Sequence, residues 1–304
     1  MGTLGTVPGF PDMEKSQGND EKRVWLVCNA ASGSNDADAR AAVQAALAQA
    51  GFALGRTISF PEEPLPAAAD LDAAGVGLLA VFTGDGSIHA AIANLAGWGG
   101  AVLVLPGGTM NMLSRRMHGD AAAAEIIARL AGAPLQRVRP PVIRTRHGVG
   151  LTGVLAGPGT VWNEVREAMR AADVLEVVAT AREAISHSAN GPKVVCDEVD
   201  GGRKEGYAAI TVTPHDDGLE ANGYYAESLG DYAGQGIALL NRNFRDGPHD
   251  ELGRHGKLRL VCPEGEPMGL LIDGEPFDGA AGELFEPALC DVDLVTTRAP
   301  ADAR

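Results

Sequence analysis

Two short apolar runs, 78–82 and 102–105, each break off in glycines: Gly84 and Gly86 after the first, Gly107 and Gly108 after the second. Neither run is long enough for a helix of its own, and each turn leads into a segment that can be helical. Short apolar runs alternating with helical patterns predict parallel strands joined by crossover helices. In such sheets ligands gather just beyond the carboxyl ends of the strands. The two glycine turns are therefore expected side by side on one rim.

Without a Cβ, a glycine lets backbone N–H groups approach a ligand closely. Successive amides pointing into one concavity, with a helix start behind them, attract an anion. Ser87, Thr109 and Asn111 add neutral donors to the same turns. A phosphate chain is the natural guest. The bland alternative is a pair of tight strand-to-helix turns that need glycine for their own geometry.

The remainder of the first half repeats the alternation. A strand is expected over 24–27, a turn over 29–34, and a helix capped by Asp36 and closed by Gly51. A second strand follows at 57–60, then a short Ala- and Asp-rich helix. Asp120 opens a further helix closed by Gly132. From about Leu135 the pattern changes. One long helix is expected over 161–185, and otherwise strands at 193–198, 207–213, 257–262, 268–272 and 291–297. Several alternate in and out, which predicts an antiparallel, sandwich-like second domain. The domains expected are a mobile leader over 1–22, an α/β domain over 23–135, a β-rich domain over 136–290, and a terminal strand and tail over 291–304.

Charge and cysteine usage narrow the partners. A net charge of −15 argues against nucleic acid and against electrostatic docking on an anionic membrane. The local basic group Arg137, Arg139, Arg144 and Arg146 reads best as solvated strand faces. The four cysteines, at 28, 196, 262 and 290, form no C-x-x-C pair and fit buried free thiols in a reducing compartment. No apolar run nears the roughly 18 residues that span a bilayer, and no signal peptide is apparent. A cytoplasmic protein that meets membranes only at their surface is expected.

Three motifs carry a resemblance. TGDGSIHAAIANL is similar to the GGDGT-type signature of the diacylglycerol kinase catalytic family, which includes sphingosine, ceramide and bacterial lipid kinases. LPGGTMNMLSRRM resembles the second signature of that family, and CNAASGS at 28–34 resembles its first. The order and spacing are also those of the family. The resemblance implies an NAD kinase/diacylglycerol kinase-like α/β N-terminal domain with a parallel sheet. It also implies a mainly antiparallel β-sandwich behind it and a terminal strand that returns to the first domain. ATP with Mg2+ would lie against Asn29, Ser32, Gly33, Thr83, Gly84, Asp85, Gly86, Ser87, Gly108, Thr109, Asn111 and Glu275. A lipid alcohol would be the acceptor, and a homodimer is allowed.

The chemistry-bearing carboxylates follow from both readings. No P-loop lysine motif and no H-R-D set is present, so phosphoryl transfer here would rest on positioned phosphates, a metal and a group acting on the hydroxyl. Asp85 is the one carboxylate inside a nest; it fits a Mg2+ or nucleotide contact, or an Asx-type turn. Asp273-Gly274 is a hairpin signal by spacing. By resemblance Asp273 matches the family's general base, with Glu275 beside it. TPHDDGLEA at 213–221 resembles a metal-bearing stretch that would make Asp217 a ligand, although a solvated loop fits it better. Thr83, Ser87, His89, Ala90 and Met112 depart from the diacylglycerol kinase pattern, and Thr83, His89 and Met112 stand closer to the sphingosine kinase one. Two rivals stay open: a soluble-substrate kinase of the NAD kinase type, and a non-catalytic nucleotide-binding protein.

Overall fold

A computed structural model describes residues 22–29, 36–158, 193–197, 202–225 and 249–298. The expected leader over 1–21, Ser32, Gly33 and the helix expected over 161–185 lie outside the described residues.

The first sheet runs β2 (Ala53–Ser59), β1 (Arg23–Cys28), β3 (Leu78–Thr83), β4 (Ala101–Pro106), β17 (Asp293–Val295) and β5 (Arg137–Val138). β1 to β4 and β17 pair in parallel, and β5 closes one edge antiparallel. All six residues of β3 are buried, as a central strand covered on both faces requires. Helices α1 (Ala37–Gln49) and α5 (Ala123–Arg129) cover one face through Val43, Leu47, Ile126 and Ile127. Helices α2 (Ala68–Ala73), α3 (Asp85–Asn94) and α4 (Met112–His118) cover the other. Burial of Ile88 and Ile92 on α3, and of Leu95 at its C-cap, contributes about 1.5–3 kcal/mol each. The Asp36 carboxylate accepts from Ala39 N–H at 2.8 Å and starts α1 as its side chain predicts.

Register and order place the site. β1 lies between β2 and β3, so the chain leaves β1 on one side and returns on the other. That reversal opens a crevice beyond the carboxyl ends of β1 and β3, the usual ligand position in such sheets. Thr83 pairs with Pro106, so the turns after β3 and β4 start at the same level.

The second half forms two antiparallel sheets. One runs β12 (His249–His255), β11 (Gly218–Tyr224), β10 (Ala209–His215), β8 (Val154–Pro158), β14 (Met268–Ile272) and β15 (Glu275–Asp278). The other runs β7 (Gly148–Gly150), β6 (Pro141–Thr145), β16 (Gly282–Leu289), β13 (Leu258–Val261) and β9 (Val195–Cys196). They share one core, in which Val154, Ile210 and Leu270 meet Ile143, Leu258 and Phe285. The loop expected over 213–221 is instead the end of β10, a turn at Asp216 and Asp217, and β11. Gly218 at φ +138 permits that turn. The first domain's core extends into the second through Val142, Leu151, Cys290 and Val292.

The end of α4 is tied to the strand that returns. Thr297 N–H donates to the Met117 carbonyl at 3.2 Å, the Thr296 hydroxyl donates to the same carbonyl at 2.7 Å, and His118 Nδ1 lies 3.1 Å from Thr297 Oγ1. Burial pulls the His118 pKa down to about 4; the Val104 carbonyl opposes and Arg129 adds to the fall. An unfolded histidine titrates near 6.5, so the unfolded chain binds the extra proton first as pH falls. The His118 contribution is intact above pH 6.5 and is lost between pH 6.5 and 4, on the order of 3 kcal/mol in all. His118→Gln is expected to flatten the melting-temperature profile across that window, measured by calorimetry against wild type.

Candidate active site

The rim at the switch point carries an open helix start. Gly84 is the N-cap of α3 and has no side chain to cap it. Among the described residues the amides of Asp85, Gly86 and Ser87 have no hydrogen-bond acceptor. These are the donors that a helix N-terminus leaves unmet, and they carry its positive end. Asn29, at the end of β1, donates from Nδ2 to Ser87 Oγ at 3.1 Å and so joins the first motif to the second. Thr109 stands exposed beside them.

Other expected phosphate donors are engaged by the turns themselves. Thr83 is fully buried, and its hydroxyl donates to the Gly84 carbonyl at 3.1 Å. Gly108 N–H donates to Asn111 Oδ1 at 2.8 Å, and Asn111 Nδ2 donates back to Gly108 O at 2.8 Å. Gly107 N–H donates to Thr83 O at 3.2 Å. A Cβ on Gly107 would stand 2.8 Å from Thr83 N, and one on Gly108 2.6 Å from Gly84 Cα. These two glycines are required because one turn packs backbone to backbone on the other.

Asp85 is turned toward the start of α4. Leu113 N–H donates to its Oδ1 at 3.4 Å. Burial raises its pKa above the ordinary carboxylate value. The Met112, Leu113 and Asn111 amides oppose that rise, and the charge of Asp273 adds to it. Asp85 thus braces the two turns against each other, and its carboxylate is committed to amides rather than held out toward solvent.

Asp273 is both a hairpin residue and more than one. Ile272 pairs with Glu275 across a two-residue turn in which Asp273 has φ +53 and Gly274 φ +89, the positive pair that a type I′ turn demands. Its carboxylate is buried, with 6% of the residue exposed. Oδ2 accepts from Leu151 N–H at 2.6 Å, and Oδ1 accepts from Thr152 N–H at 2.6 Å, Thr152 Oγ1 at 2.7 Å and Gly153 N–H at 3.2 Å. His89 Nδ1 stands 3.4 Å from Oδ2. Burial alone would raise this pKa. His89, the Leu151 amide and the Thr152 hydroxyl and amide outweigh it, and the carboxyl is held below its ordinary range. A pKa raised toward neutrality, which would suit a carboxylate base, is not what the site builds.

Glu275 is exposed and leans over the start of α3; its Oε1 lies 2.7 Å from where a Cβ on Gly86 would stand. Arg116 of α4 is buried and donates to the Leu151 carbonyl, on the same loop that holds Asp273. Sequence reasoning singled out Asp85, Asp273 and Glu275 but gave no part to Arg116 or Thr152. Nothing in the spacing linked 116, 152 and 273. For His89 the signal was present: it lies one helical turn beyond Asp85, on the same face of α3.

Asp217 does not join the site. Both of its oxygens accept from Arg254 Nη1, at 2.7 and 2.8 Å. The guanidinium stands where a bound cation was expected, and it holds the exposed carboxyl below its ordinary range. Among the described residues no group of three or more His, Cys, Asp or Glu is placed to hold a metal ion.

The model of the diacylglycerol kinase catalytic domain matches residues 23–139. Over that span the family resemblance of the three motifs is shown. Three solved structures from Bacillus anthracis share the fold. One, described as a diacylglycerol kinase, is 18% identical with a TM-score of 0.62, covering 92% of this chain and 98% of its own. A second, described as a candidate diacylglycerol kinase, is 17% identical with a TM-score of 0.65, covering 93% and 97%. A third, also a candidate, is 17% identical with a TM-score of 0.63, covering 91% and 97%. No curated protein matches the chain.

The two kinds of glycine should separate in stability. Gly108→Ala drives a Cβ into the Gly84 backbone and is expected to cost about 1–3 kcal/mol, as overpacking does. Gly86→Ala meets only the mobile end of Glu275 and should be near neutral. Denaturant unfolding of both variants checks this, and equal losses would contradict it.

Proposed function

We propose that this protein is an ATP-dependent kinase that phosphorylates a hydroxyl of a diacylglycerol- or sphingoid-like lipid. One observation carries the reading: an uncapped helix start at the topological switch point, with the Asp273 turn of the second domain brought against the same helix. The amides of Asp85, Gly86 and Ser87, the Asn29–Ser87 pair and the exposed Thr109 suit a triphosphate. Mg2+ accompanying a bound ATP would neutralise the charge of its phosphates. The chain's own groups position those phosphates and deal with the proton of the acceptor alcohol. The match over 23–139 supports the nucleotide half, and the motif resemblance supports a lipid over a dinucleotide acceptor.

The acceptor meets the enzyme at a surface rather than inside a bilayer. Among the described residues no helix is long and apolar enough to cross a membrane. A chain of net charge −15 gains nothing electrostatically from an anionic leaflet.

Two measurements test the reading. ATP with Mg2+ is expected to raise the melting temperature, and labelled γ-phosphate is expected to pass to diacylglycerol or sphingosine in mixed detergent micelles. Better turnover on NAD or a soluble sugar would replace the lipid reading. Nucleotide binding without transfer to any alcohol would leave a binding protein.

Asp273→Asn is expected to lower kcat by roughly two to four orders of magnitude. It should lower the melting temperature too, because the one amide nitrogen faces donors it cannot accept, either that of Leu151 or those of Thr152 and Gly153. A normal kcat would remove Asp273 from the mechanism.

A further inference from the structure

We propose that His89 is the group that takes the proton of the acceptor alcohol, with Asp273 as the buried anion that orients it. The proposal rests on the kinase reading above and assigns its proton. Asp273 is poorly placed to do this directly. Its oxygens already accept four hydrogen bonds from residues 151–153, and only 6% of the residue is exposed. An alcohol would have to displace those donors to reach it. His89 has the converse arrangement. Nδ1 faces Asp273 Oδ2 at 3.4 Å, while 24% of its side chain is open to solvent against 5% for Asp273. Among the described residues Nε2 makes no hydrogen bond.

A donor bond from Nδ1–H to a fixed carboxylate selects one neutral tautomer and leaves the lone pair on Nε2. The amides of Asp85, Gly86 and Ser87 lie two to four residues back along the same helix, about 3–6 Å along its axis. A γ-phosphate on those amides is therefore within one helical turn of His89. Asp273, from the hairpin turn, stands against the imidazole, and Asp85, one turn back on α3, interacts with the same Asp273 carboxylate.

The acceptor oxygen forms its bond to the γ-phosphorus while its proton passes to the lone pair of Nε2. The bond from that phosphorus to the β,γ-bridging oxygen breaks, and ADP leaves with the electron pair. The imidazolium then gives its proton to water, and the products are ADP and the phosphorylated lipid.

The test uses His89→Asn and His89→Ala in the full chain. Asn keeps an N–H donor for Asp273 and lacks a second nitrogen. Both variants are expected to lose kcat by roughly two to four orders of magnitude, with the ATP dissociation constant unchanged. Added imidazole should restore turnover in His89→Ala at least about tenfold, a response that a purely structural histidine would not give. Wild-type kcat in His89→Asn, or no rescue by imidazole, overturns the assignment and leaves the kinase reading standing. A wild-type protein that transfers phosphate to no alcohol is the failure of the kinase reading, visible before any variant is made, and it takes this assignment with it.

Discussion

The carboxylate of Asp273 on the amides of Leu151, Thr152 and Gly153 is the interaction on which the rest of the site depends. A buried charge without partners would cost several kcal/mol, and here four donors and an imidazole offset it. The loop it grips is held from the other side by Arg116, which reaches the Leu151 carbonyl from α4. The start of α4 is in turn braced by Asp85 on α3, and α3 returns to Asp273 through His89. The hairpin of the second domain and two helices of the first are thus fixed around one anion. Removing that anion loosens every member of the ring.

Within that frame the glycines divide by task. Gly107 and Gly108 let one turn lie on the other, and the bonds among Gly108, Asn111 and Thr83 consume donors that a phosphate might otherwise use. Gly84 leaves a helix end uncapped and three amides unmet. Three of the four arginines expected on open strand faces are also engaged. Arg137 and Arg139 both reach Asp293 on β17, and Arg146 reaches the buried Glu283. They fasten the returning strand and the sandwich, so they add little to any attraction for an anionic surface.

What could be read in advance follows the range of each interaction. Local signals were clear: the all-buried β3, the Asp36 cap, and positive φ at Gly51 and Gly132, which close α1 and α5. The Asp273-Gly274 turn was legible as a turn for the same reason. Its partners lie more than a hundred positions away, so its burial, its lowered pKa and its hold on 151–153 were not legible. Thr83 was expected against the nucleotide by resemblance, and the central strand buries it completely. Resemblance offered Asp217 as a metal ligand beside a preferred reading as a solvated loop, and its partner Arg254, on a strand distant in sequence, was not legible. β11 and β12 were not anticipated as strands, because Gly, Glu and His interrupt the apolar alternation. Pairing with β10 imposes the extended form on them.

The central claim is that the uncapped start of α3 receives the triphosphate of ATP beside the Asp273–His89 pair. A crystal structure with Mg2+ and a non-hydrolysable ATP analogue tests it most directly. The account predicts phosphate oxygens within hydrogen-bond distance of the amides of Asp85, Gly86 and Ser87, with the γ-phosphorus on the side facing His89. Phosphates lodged elsewhere, with those three amides bound only to water, would contradict it.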